Sequence, residues 1–145
     1  PQAAPEVVRV LLSRPTGTST AAVVEHTMRL FKAIGSPAYP VPEAEMRARV
    51  TEGVQRAFHP VGTLRQMLAI VADITRAALL SRITAPTLVI HGKADPLVPL
   101  ACGEDTARRI PGAQLLTIAG MGHDLPPEPL RQILAALIPH LKATA

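Results

Sequence analysis

With 145 residues, the chain is long enough for one domain of ordinary size. Apolar residues make up 48% and charged residues 18%, a balance that fits a packed soluble core and excludes a disordered chain. The net charge of +4 comes from scattered Lys and Arg without a basic run, and aromatics are only 2%, so no nucleic-acid partner is expected.

The single cysteine, Cys102, excludes a disulfide framework within the chain. No apolar run approaches the ~20 residues a bilayer span needs, so no membrane partner is expected. The segment from Pro1 to Pro5 lacks the basic and apolar regions of a signal peptide, and the expectation is a cytoplasmic protein. The first residue is Pro rather than Met, and sequence upstream is expected to be missing.

Fifteen prolines divide the chain into short segments. Glu6 to Leu12 has Val7, Val8, Leu11 and Leu12 at helical spacing. Ser19 or Thr20 can cap a helix from about Ala21 to Ile34, which Gly35-Ser36-Pro37 ends. Pro42 fits a first helical position, with Glu43 and Glu45 in the positive first turn. Met46, Val50, Val54 and Ala57 mark one buried face of that helix. Gly62 precedes an apolar stretch from Leu64 to Ile74, and a further turn or two reaches Leu80. Residues 1–82 therefore read as four or five short helices without a convincing strand.

From Pro86 the character changes. Thr87-Leu88-Val89-Ile90 is continuously apolar and β-branched, as expected of a parallel strand covered on both faces. Cys102 to Arg109 reads as a helix, acidic early and basic late, stopped by Pro111-Gly112. Gln114 to Ile118 reads as a second strand. Pro126-Pro127-Glu128 opens a last helix with one apolar stripe through Leu130, Ile133, Leu134, Leu137, Ile138 and Leu141, which Pro139 should kink or weaken. The order strand, loop, helix, strand, loop, helix is that of a parallel α/β sheet. Two strands leave faces and edges bare, so the remaining strands are expected from an N-terminal half or from a second copy of the chain.

Sites in open α/β sheets form at the carboxyl ends of the strands. The loop after the first strand holds Asp95, in His91-Gly92-Lys93-Ala94-Asp95-Pro96. The loop after the second holds His123, in Gly120-Met121-Gly122-His123-Asp124. A carboxylate can orient and charge-stabilise an imidazole, and an imidazole can take a proton from a nucleophile and return it to a leaving group. Taken singly, Asp95 before Pro96 is a turn former, and His123 is a surface or capping histidine. Their joint placement after consecutive parallel strands favours a catalytic pair.

The run from Pro86 to Gly92, then Asp95, then Gly120-Met121-Gly122-His123, resembles the last two strands of α/β-hydrolases. In that superfamily the triad runs nucleophile, acid, histidine. The resemblance implies an α/β fold in which residues 83–145 form the C-terminal part of the hydrolase core and residues 1–82 are a helical cap or lid that walls the substrate pocket. It implies Asp95 as the acid, His123 as the base, and Met121 as a residue facing substrate. It implies a serine hydrolase acting on a small apolar, ester-like substrate, with no metal and no organic cofactor. The superfamily's Gly-x-Ser-x-Gly is absent. The nearest match, Gly17-Thr18-Ser19-Thr20-Ala21, ends in Ala and follows no strand, so Ser19 is assigned to helix capping. The nucleophile is expected on the missing half, and this chain alone is expected to be inactive.

Asp124 could compete for His123, but capping the final helix or bonding turn backbone suits it better. His91 reads as a packed strand-end histidine, and Cys102 as a small hydrophobe at a helix start. His26, His59 and His140 lack metal-binding spacing. One rival reading is an inactive remnant or interaction module pairing through its exposed sheet edge. Another keeps the fold but changes the chemistry, since dehalogenases and carbon–carbon hydrolases share it.

Overall fold

A computed structural model of the chain describes residues 2–73 and 75–143. Pro1, and Ile74 at the expected end of the fourth helical stretch, lie outside these residues. The elements in order are α1 (Pro5–Leu11), α2 (Thr20–Ile34), α3 (Glu43–Ala57), α4 (Pro60–Ala72), α5 (Arg76–Leu79), one 3-10 turn (Leu80–Arg82), β1 (Leu88–Gly92), α6 (Leu100–Arg109), β2 (Gln114–Ile118) and α7 (Pro127–Ala143).

The hydroxyl of Ser19 caps α2 by accepting from the Ala22 N–H at 3.2 Å, which satisfies one of the helix's orphan donors. Gly35 ends α2 for a different reason than the one expected. Its φ is −66°, open to any residue, but a Cβ there would lie 3.0 Å from the Phe31 carbonyl oxygen. Close approach, not backbone freedom, favours the glycine. Pro42 stands one position earlier than expected, as the N-cap of α3.

Helices α2 and α3 pack through Val24, Met28 and Val50, with Met46 and Val54 against them. Exposed ion pairs cross the same seam, Lys32 to Glu43 at 2.7 Å and Arg47 to Glu25, while Arg47 also pairs with Glu43 within α3. Helix α1 is short but anchored, with Val7 fully buried and the Ala4 N–H donating to the Pro96 carbonyl at 2.7 Å. By contrast, α4 buries none of its residues. Val61, Leu64, Leu68, Ile70 and Val71 are all more than half exposed.

Strands β1 and β2 pair in parallel, from Leu88 opposite Gln114 to Gly92 opposite Ile118, with α6 as the crossover. Side chains alternate across a strand, so Ile90, Leu116 and Ile118 share one face. There they meet Met121 and Ile133 of α7. Ile118 is 1% exposed, and full burial of such a side chain contributes about 2 kcal/mol. His91 points to the other face, against Gly103 of α6, where a Cβ would lie 2.7 Å from the ring Nδ1. Helices α6 and α7 thus cover opposite faces.

Full coverage of the strands, expected from their apolar character, is not reached. Leu88, Val89 and Ile90 are half-buried, and Leu115 is exposed. The reason is geometric: among the described residues no third strand pairs with either edge, so one helix per face spans only two strands. The stop at Pro111-Gly112 uses left-handed backbone, with Gly112 at φ +72°. Helix α7 continues past Pro139 to Ala143. Pro139 is exposed, so the carbonyl that loses its N–H partner one turn earlier can turn to water.

Candidate active site

The two loops beyond the strands are tied together by backbone. The Lys93 N–H donates to the Ile118 carbonyl at 2.9 Å, and the Ala94 N–H to the Met121 carbonyl at 3.0 Å. Gly92 makes this approach possible, since a Cβ on it would lie 2.3 Å from the Met121 oxygen. Asp95 follows directly, its side chain only 6% exposed. Its two oxygens divide the work. Oδ1 accepts from the N–H groups of Leu97 and Val98, each at 2.9 Å, and so forms the turn that Asp-Pro favours. Oδ2 accepts from His123 Nδ1 at 2.8 Å. Turn former and imidazole partner are the same residue.

The second loop leaves β2 through Gly120, at φ +71°, a left-handed conformation that a side chain would strain. Gly122 lies against the end of α2, where a Cβ would sit 2.5 Å from the Gly35 carbonyl oxygen and 2.7 Å from that of Ile34. The His123 N–H donates to the Ile34 carbonyl at 2.8 Å. The imidazole is therefore held at its backbone and at Nδ1. Nε2 remains to exchange a proton on a side chain that is 42% exposed. A buried carboxylate on Nδ1 fixes the tautomer and stabilises the charged ring.

Met121 is buried with Ile118 and Ile133, and it also borders the cleft described below. His91 Nε2 donates to the Val98 carbonyl at 2.8 Å and lies 4.0 Å from Asp95 Oδ2, so it braces the turn that carries Asp95. Asp124 accepts from the Ser36 hydroxyl rather than capping α7. Its carboxylate is thus engaged by the α2 end, while Asp95 holds His123. Ser36 was invisible in the sequence beyond a helix stop, because its partners lie more than eighty residues away and a lone serine gives no signal of them. Cys102 is half-buried in the first turn of α6. His59 caps α4, accepting from the Gly62 N–H at 3.0 Å. Among the described residues no three His, Cys, Asp or Glu side chains cluster as metal ligands, and no helix is long and apolar enough to cross a membrane.

An open cleft of about 1670 Å3 runs between α1–α4 and these loops. Its wall is mostly apolar, with Leu30, Phe31, Met46, Val50, Val54 and Met67, and Asp95 and His123 border it. His26 also faces the cleft; burial, then the nearby Arg29, lowers its pKa below the ordinary 6.5 and favours the neutral ring.

Two parallel strands joined by a helical crossover, with helices on both faces, are part of an α/β-hydrolase fold. Solved structures of that fold superpose on the chain. A meta-cleavage product hydrolase from Pseudomonas fluorescens does so with a TM-score of 0.67 at 16% identity, covering 99% of this chain and 52% of its own. The esterase RhEst1 from a Rhodococcus species does so with a TM-score of 0.66 at 16% identity, covering 99% and 50%. Within this class the chain belongs to the family described as serine aminopeptidase, S33, whose model matches residues 44–130. A curated relative, rhodomycin D methylesterase DauP from Streptomyces sp. (strain C5), is 29% identical over 134 residues, which is 92% of this chain and 45% of that protein. The chain thus spans about half the length of the proteins it matches.

Proposed function

We propose that this chain is the C-terminal part of a serine hydrolase that cleaves carboxylic esters, with Asp95 and His123 as two members of its triad. The observation that carries this reading is the 2.8 Å contact between His123 Nδ1 and the buried Asp95 carboxylate, which leaves Nε2 at the cleft. The serine lies on a segment outside these 145 residues, in a Gly-x-Ser-x-Gly turn. Helices α1–α5 act as the cap.

The chemistry follows from the geometry. His123 Nε2 takes the serine proton as the serine oxygen adds to the ester carbonyl, and Asp95 stabilises the imidazolium. As the intermediate collapses, the carbon–oxygen bond to the alcohol breaks and His123 protonates the departing oxygen. Water then attacks the acyl-enzyme by the same route, releasing the carboxylic acid and restoring the serine. Backbone N–H groups of the completing segment hold the oxyanion. The wide apolar cleft suits a bulky apolar acid esterified to a small alcohol, in keeping with the methylesterase relative.

The open edge of β1 supports a second reading, in which the chain pairs its sheet with a partner or with itself. A monomer at 15.4 kDa by light scattering would count against self-pairing. The main reading is tested by a fluorophosphonate probe and a chromogenic ester. The isolated chain should neither label nor turn over, and a complementing segment bearing Gly-x-Ser-x-Gly should give both. Activity of the isolated chain that disappears in Ser19→Ala would overturn this assignment of the nucleophile.

A further inference from the structure

Ser36 is a buried polar residue, at 5% exposure. It lies two positions past the end of α2, outside any helix or strand. Its hydroxyl accepts from the Gly122 N–H at 2.9 Å and donates to Asp124 Oδ1. A hydroxyl has one proton. Commitment of that proton to Asp124 leaves a lone pair for Gly122. One hydroxyl thus grips the residues on both sides of His123. The third grip is on His123 itself, whose N–H donates to the Ile34 carbonyl at 2.8 Å. The two segments can lie this close because Gly35 and Gly122 present no side chain at the crossing.

We propose that Ser36 and Asp124 are positioning residues that clamp the loop carrying His123 onto the end of α2. The clamp presents the imidazole to Asp95 in one orientation. It also makes the general base move with a helix that walls the cleft, since α2 contributes Thr27, Leu30 and Phe31 to that wall. The inference rests on the reading of His123 as the base. Loss of the Ser36 hydroxyl strands the buried Gly122 N–H and takes from the half-buried Asp124 carboxylate its hydroxyl donor.

Nuclear magnetic resonance on the nitrogen-15-labelled chain offers two readouts. Hydrogen exchange at the Gly122 and His123 amides reports the clamp. The ring nitrogen shifts of His123 report its consequence, because they separate the Nδ1–H tautomer from the Nε2–H tautomer. Ser36→Ala should speed exchange at both amides roughly tenfold or more, the scale of one lost hydrogen bond. It should also move the ring from a single Nδ1–H form to the tautomer mixture of a free imidazole, with the β1 and β2 amide pattern retained. Asp124→Ala should do the same, whereas Asp124→Asn keeps an oxygen for Ser36 and should restore both signatures. Folded Ser36→Ala and Asp124→Ala variants with the wild-type ring tautomer would overturn the proposal. If Ser36→Ala does not fold, the two Asp124 variants decide, and identical behaviour of Ala and Asn would overturn it. A wild-type ring without the Nδ1–H form, or one unmoved by Asp95→Ala, would sink the catalytic reading instead. Amide exchange would still judge the clamp.

Discussion

The helices before Leu88 and the sheet after it are held together by different forces. In the sheet region the first loop is joined by main-chain hydrogen bonds, from Lys93 to the end of β2 and from Ala94 to the second loop, with Gly92 allowing the contact. Side-chain identity matters little to such bonds, but any added Cβ matters greatly. In the helical region α2 and α3 meet through a few apolar side chains and a fringe of exposed ion pairs, and α4 buries no residue at all. The Asp95–His123 contact sits on the backbone-stitched part. The wall of the cleft sits on the part that side-chain changes can reshape at little cost.

The largest effect that can break this comparison is catalytic. In the proposed hydrolase assembled with its completing segment, His123→Ala should lower kcat roughly ten-thousand-fold, the scale of losing a triad base. Met67→Ala, on the wall, should change kcat/KM by roughly tenfold or less, since one pocket contact is worth a few kcal/mol at most. Steady-state kinetics on both variants checks this. A wall substitution as damaging as the histidine one would erase the distinction between the two regions.

Stability separates the regions next. Ile118→Ala opens a cavity beneath the site, among Met121, Ile133 and Ile90. It should cost about 2–5 kcal/mol in urea unfolding. Leu68→Ala on α4, where the side chain is mostly exposed, should stay within about 0.5 kcal/mol. A comparable loss at Leu68 would mean that α4 is buried against something in solution. Gly92→Ala belongs with the first group, because its Cβ would meet main chain that cannot swing aside.

How much of this was readable beforehand follows the same division. Both strands, and the pairing of Asp95 with His123, were legible because local patterns carried them: a β-branched run, a turn dipeptide, glycines around a histidine. The strand-to-loop order then did the rest. The Ser36 grip was not legible, because its partners in the other loop lie some eighty residues on and no periodicity connects them. The exposure of α4 was not legible either. Its apolar residues read like any core helix, and what a face packs against is a property of the assembled fold. Gly35 shows the intermediate case: its place at the helix end was predicted, but its reason, contact with the Phe31 carbonyl, was not.

The smallest predicted effect concerns acid. Hydrogen bonding from Arg47 holds Glu25 below its ordinary pKa of 4.5, and hydrogen bonding from Lys32 and then Arg47 does the same for Glu43. A carboxyl with a depressed folded-state pKa adds stability that is present above the ordinary value and fades as pH falls through the lowered one. Both glutamates are exposed, so the contribution is modest and salt-screened. Asp105 is also lowered, chiefly by hydrogen bonding from Arg109, but that pair lies within α6 and joins nothing else. The acid limb of thermal unfolding, below about pH 4.5, should therefore flatten in Glu43→Gln, which cuts a tie between two helices. It should change less in Asp105→Asn, which cuts one within a helix. Added salt should shrink the first difference. Equal responses from the two variants would show that the ion pairs between α2 and α3 do not help hold the wall together.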